Sequence, residues 1–482
     1  MKDDLSKLLD FIDNGGLSRR SFMTRTAALG ATTALGATAL ASGARAEEPK
    51  KGGILKMGLS GGETTDSLDP GTADSSATFS TIAQWGDTIV RVGSEGQLEP
   101  SLAESFSSNA EGTEWIFTIR EGVKFHDGSE MTADDVLATY NRHSDENSKS
   151  GALGIMKGIT AMAVNGRDIS ITLETGNADL PYLLSDYHLV IQPKGGVDAP
   201  TAAVGTGPYK LVSADAGVRY VFEKHADYWD TTRGHYDGVE IIIINDSTAR
   251  NSALQSGQVH VINRVEPKVA KLLARDAGLN VTNTPGRGHY VFIMHCNTAP
   301  FDNNDLRLAL KYSVNREEMV DKILDGYGSV GNDTPINAAY PLFDATIEQR
   351  AFDLEKAAEH YAASGHDGSP IELEVADGAF PGAVDAATLW QASANQAGIP
   401  LVIKKVPDDG YWSDVWNVKP FCASYWGGRP VQDQMYSTAY LSTAEWNDTR
   451  FFNAEFDALL LEARAETDLA RRQELYGQIG RI

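Results

Sequence analysis

The chain has 482 residues, which is too long for a single hydrophobic core, so two or three globular units are expected. Its hydrophobic content of 42% is that of an ordinary folded protein and excludes an intrinsically disordered chain. The formal net charge of −24 argues against a nucleic acid as the partner, because phosphate groups would be repelled. Cys296 and Cys422 cannot form a structural zinc site by themselves, and a disulfide and two free thiols are both open.

Residues 1–46 are predicted to be an export signal. Arg19 and Arg20 lie in S-R-R-S-F-M, which resembles the twin-arginine export motif, and a run of small apolar residues follows. The run ends at an A-x-A cleavage site whose last residue is Ala46. It is too short and too weakly apolar to stay as a membrane anchor. We therefore expect a soluble periplasmic protein without stable membrane insertion.

The first strand is predicted over Ile54–Leu59, and it leads into G-L-S-G-G. This matches the G-x-S-x-G nucleophile elbow of α/β-hydrolases, which needs a helix directly after the serine. After Ser60 the residues E-T-T-D-S-L-D-P predict a turn-rich loop instead. A secreted serine hydrolase is therefore kept as an alternative function, and fluorophosphonate labelling of Ser60 would distinguish it. A helix is predicted next, over residues 82–90.

Residues 114–140 give the most distinct local pattern in the chain. Trp115, Phe117 and Ile119 alternate with other residues, which predicts a strand with one buried face. After an Asp-Gly turn, Thr132 stands at an N-cap position and two aspartates follow in the first helical turn. An Asn-Gly pair at 165–166 predicts a hairpin further on.

These motifs occur in the order of a known family. The chain resembles the family 5 extracellular solute-binding proteins at four stretches. In chain order these are L-D-P (68–70), R-E-G-V-K-F-H-D-G (120–128), T-A-D-D-V (132–136) and G-T-G-P-Y (205–209). The members of this family are the dipeptide-, oligopeptide- and nickel-type binding subunits of ABC importers. The resemblance implies an α/β, two-lobed periplasmic binding protein of the cluster C type, with an extra inserted α/β domain.

The resemblance also implies how such a protein works. It would be a monomer that binds a small-molecule solute by closing its lobes, without catalysis or a cofactor, and it would dock on the transmembrane subunits of an ABC permease. The L-D-P loop would border the ligand cleft. A chaperone that binds unfolded peptides in the same cleft is a further alternative.

The domain boundaries follow from the same pattern. Lobe I is predicted over 47–84 and 194–286, the inserted domain over 85–193, and lobe II over 287–482. Within lobe I, the apolar run 239–244 predicts a strand of a parallel sheet, buried on both faces. Within lobe II, Asn315 with Glu318 predicts a helix cap, and Asp353 and Gly365 predict the two ends of another helix. The last predicted helix, from near residue 467, reaches the final residue without a cap, so we expect a fragment of a longer protein.

Residues 421–433 contain the strongest candidate for ligand binding. A short strand delivers Tyr425 and Trp426 to a Gly-Gly turn, where the backbone can approach a ligand, and Arg429 offers a fork for a carboxylate. The alternative is that Arg429 pairs with a structural aspartate. The candidate ligand-binding residues are Phe380, Trp412, Tyr425, Trp426, Gly427, Gly428, Arg429 and Asp433.

The sequence departs from its relatives at this point. Dipeptide-type members resemble W-x-G-D here, and that aspartate holds the ammonium group of the peptide, whereas this chain has W-G-G-R at 426–429. The arginine that those members use for the carboxylate has no counterpart among residues 380–384. We therefore expect a small organic solute whose carboxylate binds Arg429, with Asp433 available for an ammonium group. Peptides, opines or modified amino acids would fit, and the histidine spacing gives no sign of a metal site.

Overall fold

The computed structural model describes residues 49–94, 96–284, 286–466 and 468–482. Arg19, Arg20 and Ala46 of the predicted export signal lie outside the described residues. We call residues 52–284 the N-terminal lobe and residues 286–482 the C-terminal lobe. None of the described helices has the length and apolar character needed to cross a membrane.

The strands and helices alternate along most of the chain. The strands are β1 (Ile54–Leu59), β2 (Val90–Val92), β3 (Leu98–Pro100), β4 (Ala103–Ser108), β5 (Glu114–Ile119), β6 (Ile159–Asn165), β7 (Asp168–Leu173), β8 (Tyr209–Asp215), β9 (Arg219–Lys224), β10 (Gly238–Ile243), β11 (Val261–Ile262), β12 (His289–Met294), β13 (Ile371–Val375), β14 (Leu401–Lys405) and β15 (Phe421–Trp426). The helices are α1 (Ser76–Trp85), α2 (Ala133–Ser144), α3 (Leu153–Met156), α4 (Leu180–Leu183), α5 (Ser247–Gln255), α6 (Pro267–Leu273), α7 (Asn304–Tyr312), α8 (Arg316–Lys322), α9 (Leu354–Ser364), α10 (Ala383–Gln396), α11 (Tyr411–Asp414), α12 (Gln432–Ala439), α13 (Ala454–Ala465) and α14 (Leu469–Arg481). Short 3-10 helices cover Pro70–Thr72, Tyr187–Leu189 and Pro193–Gly196.

The first sheet of the N-terminal lobe has the strand order β11-β1-β10-β9-β8. β1 is parallel to both β10 and β11, whereas β10 is antiparallel to β9. The parallel strand predicted at 239–244 therefore has a parallel neighbour on one side only. Val239 and Ile241 are buried, but Ile242 and Ile243 are half-buried. The prediction that this strand is buried on both faces along its whole length is therefore wrong for its last residues.

The helix predicted over residues 82–90 is wrong in its position. α1 begins earlier, because Ser75 and Thr78 form a capping box, and it ends at Trp85. Gly86 is extended, and a Cβ there would lie 2.8 Å from the Val190 side chain. Close packing against a residue about a hundred positions away thus ends the helix, and no local pattern reveals that contact.

A second, fully antiparallel sheet lies inside the N-terminal lobe, with the order β4-β5-β7-β6. Trp115, Phe117 and Ile119 on β5 are buried, as their alternation predicts. Gly166, at φ +64°, turns β6 into β7, so the Asn-Gly hairpin is confirmed. α2 begins after Thr132, as predicted.

The sheet of the C-terminal lobe has the order β12-β15-β13-β14. Asn315 accepts a hydrogen bond from the Glu318 backbone N–H (3.1 Å), and Asp353 and left-handed Gly365 stand at the ends of α9. These three predictions are confirmed. The thiols of Cys296 and Cys422 are free, which decides the question that the sequence left open.

Three separate hydrophobic cores organise the lobes. One lies under the first sheet, one under the antiparallel sheet between residues 89 and 191, and the third fills the C-terminal lobe. Val431 of the C-terminal lobe packs into the second core, so the antiparallel unit also touches that lobe. The domain boundaries inferred from sequence stay a proposal.

Candidate functional site

A cavity lies between the two lobes, and both supply its walls. The N-terminal lobe contributes Asp74, Phe79 and Tyr187, and the C-terminal lobe contributes Trp412, Trp416, Tyr425, Trp426, Gly427, Arg429 and Trp446. Its free volume is about 20 Å³, and a single water needs about 10–15 Å³. The lobes are therefore shut over a space that fits only a molecule as small as water.

The lobes are held together by polar contacts at the edge of this cavity. Thr64 donates from its backbone N and its Oγ1 to Asp409 Oδ1, at 3.0 Å in both cases. The Arg264 guanidinium lies 3.9 Å from the centre of the Tyr425 ring, a cation–π contact between the lobes. Other contacts also join the lobes, including the ion pair of Lys149 with Glu445 (3.0 Å) and the packing of Val431 into the second core.

The end of β15 presents the predicted aromatic pair to the cavity. Tyr425 and Trp426 are the last two residues of the strand, opposite Tyr290 and His289 on β12. Gly427 lines the cavity, but Gly428 is exposed and does not. A Cβ on Gly428 would lie 2.7 Å from Arg287 Cβ, so packing against the neighbouring chain, rather than close approach of a ligand, requires that glycine.

Four tryptophans form a box around one end of the cavity. Trp416 meets Trp412, Trp426 and Trp446 nearly edge to face, with ring centres 5.3–6.2 Å apart. Behind them, Asp448 Oδ2 accepts from the indole N–H of Trp416 (2.9 Å) and of Trp426 (3.2 Å). Burial raises the pKa of Asp448 to about 7. The buried Asp448 carboxyl thus fixes the orientation of two of the tryptophan rings that line the cavity.

Arg429 lines the cavity from the C-terminal lobe with a side chain that is only 7% exposed. Its Nη1 donates to Gly427 O (3.3 Å) and its Nη2 to the Tyr187 hydroxyl (3.5 Å), but its Nε has no hydrogen-bond partner in the described part of the chain. The closest carboxylate oxygen, on Asp186, lies 3.8 Å from Nε. Arg429 is therefore ion-paired with a buried aspartate, as the alternative in the sequence analysis predicts, while its Nε–H makes no hydrogen bond with any described residue.

Asp186 is already engaged by other groups. It accepts from Gln434 Nε2 (3.0 Å) and lies 2.5 Å from His188 Nδ1, while His188 Nε2 faces Ala73 O at 3.0 Å. The imidazole of His188 thus lies between the Asp186 carboxylate and a backbone carbonyl. Burial would raise the pKa of Asp186, but the charges of His188 and Arg429 hold it below its usual range.

Two predicted site residues lie elsewhere. Asp433 does not line the cavity; it is fully buried and ion-paired with Arg464 (3.0 Å), and Ser437 Oγ donates to it (3.2 Å). It is therefore not free for an ammonium group. Phe380 stacks on Tyr290 at 4.5 Å inside the C-terminal core and has no place in the cavity wall.

The N-terminal side of the cavity is acidic, which the sequence reasoning missed. Glu63 Oε1 accepts from the backbone N–H of Trp412 (2.8 Å), and Asp66 accepts from the Glu63 N–H (3.1 Å). Burial raises the pKa of Glu63 to about 7 and the pKa of Asp66 to about 6. The pKa of Asp74 is raised to about 7 by burial and by the negative charges of Asp66 and Glu63. The available signal was the L-D-P loop, whose resemblance placed it at the cleft.

Phe79, Tyr187, Trp416 and Trp446 also line the cavity without having been predicted to do so. They come from four separate segments, and no spacing pattern connects them. Only folding brings them to one place.

Ser60 does not form a nucleophile elbow. The helix that follows it starts sixteen residues later, at Ser76, and its Oγ lies 3.3 Å from Asn263 Oδ1 rather than from an imidazole. Within the described ranges, no group of three or more His, Cys, Asp or Glu side chains is arranged to hold a metal ion.

Two α/β lobes closed over an aromatic-lined cavity define the class of two-lobed periplasmic binding proteins. Solved structures agree. The periplasmic binding protein DppA from Helicobacter pylori, in complex with the peptide STSA, superposes with a TM-score of 0.82 at 21% identity, covering 90% of both chains. AgaA from A. tumefaciens R10, in complex with agropinic acid, gives a TM-score of 0.78 at 23% identity, covering 89% of both chains.

Residues 97–448 match the model of the bacterial extracellular solute-binding proteins, family 5. The chain belongs to this family; it is a solute-binding protein and not an enzyme. Similar proteins include the glutathione-binding protein GsiB of Pectobacterium atrosepticum, at 24% identity over 86% of this chain and 84% of that protein. Heme-binding protein A of Haemophilus influenzae is 28% identical over 79% of this chain and 76% of its own length. Members of the family bind small solutes and work with ABC permeases.

Proposed function

We propose that this protein is the periplasmic binding subunit of an ABC importer, and that it captures a small carboxylated organic solute between its lobes. A peptide, an opine or a modified amino acid would be such a solute. The observation that carries the proposal is Arg429, a buried guanidinium with an unused Nε–H in the wall of an aromatic cavity.

A carboxylate suits this arginine for two reasons. A guanidinium presents parallel N–H groups that match the two oxygens of a carboxylate, and such charge-assisted bonds are stronger in a site without water. The acid beside it, Asp186, is already held by His188 and Gln434, and its oxygen is beyond hydrogen-bond distance of Nε. The names of the similar proteins also refer to carboxylated molecules: glutathione, heme, a peptide and agropinic acid.

The proposed cycle begins with opening of the lobes. A cavity of about 20 Å³ cannot admit a peptide or an opine, so solute enters an open form and the lobes close on it by hinge motion. Arg429 then binds the carboxylate while the tryptophan box covers the apolar part of the solute. The closed protein docks on the permease and releases the solute unchanged.

We also propose that the protein acts as a monomer and reaches the periplasm through the twin-arginine route. Replacement of both Arg19 and Arg20 by Lys is expected to leave the precursor in the cytoplasm, as seen by cell fractionation and immunoblotting. Periplasmic accumulation of the double variant would contradict this route without touching the binding proposal.

The test of binding is calorimetry with the protein and a panel of carboxylated amines, opines and short peptides. We expect at least one micromolar ligand for the wild-type protein, a loss of binding of at least about a hundredfold in Arg429→Ala, and a smaller loss in Arg429→Lys, which keeps the charge but not the fork. Near-UV circular dichroism checks that both variants are folded. Equal affinity of the wild-type protein and Arg429→Ala would refute the role of Arg429.

A further inference from the structure

We propose that Asp74 binds a cationic group of the solute, so that the cleft is built for a zwitterion held between Asp74 and Arg429. This inference rests on the proposed function and deepens it, because it names the charge pattern of the solute. It also replaces Asp433 as the partner of the ammonium group, because Asp433 is ion-paired with Arg464, and the new partner lies on the opposite lobe.

The two charges face the same cavity from different lobes. Asp74 follows the 3-10 helix Pro70–Thr72 and precedes α1, whereas Arg429 follows β15. Both line the cavity, yet they form no ion pair with each other. A zwitterion between them would therefore bridge the two lobes, and binding would favour the closed form.

Among the described residues, Asp74 differs from the other acids at this interface because its carboxylate accepts only from its own backbone N–H. Among the described residues, no Lys, Arg or His nitrogen lies within 4.0 Å of its carboxylate, and no side chain donates to it. By contrast, Asp433 is paired with Arg464, Asp186 is held by His188, and Glu63 accepts from the Trp412 N–H. The charged form of a half-buried carboxyl is disfavoured without a cation beside it, and a ligand can supply that cation.

Two more residues that line the cavity carry a polar atom without a partner. Arg429 Nε and the Tyr425 hydroxyl are buried, and neither makes a hydrogen bond with any residue that the structure describes. A cation in this position would also lie among tryptophan rings, whose faces attract positive charge. The cavity wall therefore combines an acidic group, a basic group and aromatic rings, which is the complement of a zwitterion.

The test uses matched probes that differ by one charge. The probes are glutathione and the dipeptide Met-Leu, each as the free amine and as the N-acetyl derivative, titrated by calorimetry. For the wild-type protein we expect the free amine of the binding probe to be at least tenfold tighter than its acetylated form. In Asp74→Asn this preference falls to within about threefold, while binding of the acetylated form is retained.

Asp66→Asn is the matched control, since Asp66 belongs to the same acidic group but does not line the cavity. It is expected to keep the preference for the free amine. Thermal unfolding gives a second readout: at pH 8, Asp74→Asn is expected to keep or raise the melting temperature, because it removes an unpaired buried charge. A structural role for Asp74 would lower it.

The outcomes separate the two proposals. Equal binding of the amine and acetylated forms to the wild-type protein, or an unchanged preference in Asp74→Asn, overturns the role of Asp74 and leaves Arg429 and the solute-binding proposal in place. If no probe binds in either form, the carboxylated-solute proposal fails as well, and the role of Asp74 with it.

Discussion

Asp448 illustrates how a residue outside the cavity wall controls its shape. Its Oδ2 accepts from two indole N–H groups, and its Oδ1 has no hydrogen-bond partner within residues 49–482 as far as the structure describes them. Trp416 and Trp426 are therefore oriented by one carboxyl group, whose burial is favourable only because both bonds are made.

Asp448→Ala is expected to lower the free energy of unfolding by about 2–4 kcal/mol, because it leaves two buried indole donors without an acceptor and opens a small void. Asp448→Asn keeps an oxygen for the same two donors and is expected to lose less than half as much. Urea unfolding followed by tryptophan fluorescence measures both variants. Equal losses would mean that the hydrogen bonds to the indoles contribute little.

Glu63 makes the stability of the protein dependent on pH in a predictable direction. Its pKa is raised to about 7 in the folded protein, from an ordinary value of 4.5, mainly by burial. The ionised form is therefore disfavoured in the folded state. The resulting loss of stability begins above pH 4.5 and is complete above pH 7.

Glu63→Gln removes this dependence while keeping an acceptor for the Trp412 N–H. We expect the wild-type protein to lose roughly 1–3 kcal/mol of unfolding free energy relative to Glu63→Gln as the pH rises from 5 to 8. Taking the difference between the two proteins cancels the titration of the buried histidines. A difference that is flat with pH, or that rises in favour of the wild-type protein, would contradict the raised pKa.

At the scale of single elements, the start of α2 joins local capping to tertiary packing. Asp135 Oδ2 accepts from the backbone N (2.8 Å) and the Oγ1 (2.9 Å) of Thr132. Its other oxygen accepts from the backbone N–H of Lys194 (2.7 Å), at the end of the antiparallel unit. The Asp135 side chain thus caps α2 and also binds the segment around Lys194, which leads back to the first sheet.

Asp135→Ala is expected to destabilise the protein by about 1–3 kcal/mol, since it removes the cap and the bond to Lys194. Asp134→Ala is the matched control: this neighbouring acid lies in the same first turn but is exposed and makes no such bonds, so about 0.5 kcal/mol or less is expected. Chemical denaturation of both variants measures the difference. Similar losses would indicate that only the helix dipole matters.

At the scale of the whole molecule, the contacts between the lobes set the balance between the closed and open forms. Asp409 accepts all of the hydrogen bonds from Thr64 across the edge of the cleft, and it is an exposed residue. Such an exposed contact is worth about 0.5–1 kcal/mol, enough to change the ratio of closed to open molecules two- to fivefold.

Asp409→Ala is therefore expected to enlarge the radius of gyration of the solute-free protein measured by small-angle X-ray scattering. Asp414→Ala is the control, because this exposed acid accepts a hydrogen bond only from its neighbour Ser413 within the C-terminal lobe. Adding a solute that binds is expected to bring Asp409→Ala back to the compact profile. An identical profile for every variant, with and without solute, would contradict closure around a ligand.

Features that depend on neighbouring residues were predictable. The cap at Thr132, the pair Asn315–Glu318 and the left-handed Gly365 were read from residues a few positions apart, and the buried face of β5 from alternation. The two-lobed architecture came from the resemblance of ordered motifs. In the candidate site, Tyr425, Trp426 and Arg429 were found because they follow one another in a strand and its turn.

The partners of the buried charges were decided only by the tertiary structure. Asp433 meets Arg464 31 residues later in the chain, and Glu63 meets the backbone of Trp412, 349 residues away. In the same way, folding placed no Lys, Arg or His among the described residues within 4.0 Å of the Asp74 carboxylate. The sequence by itself determined where α2 and β5 begin, because capping and alternation act over a few residues. Which acid stays free at the cavity depends on distances of a few ångströms between lobes, and only the folded chain sets those distances.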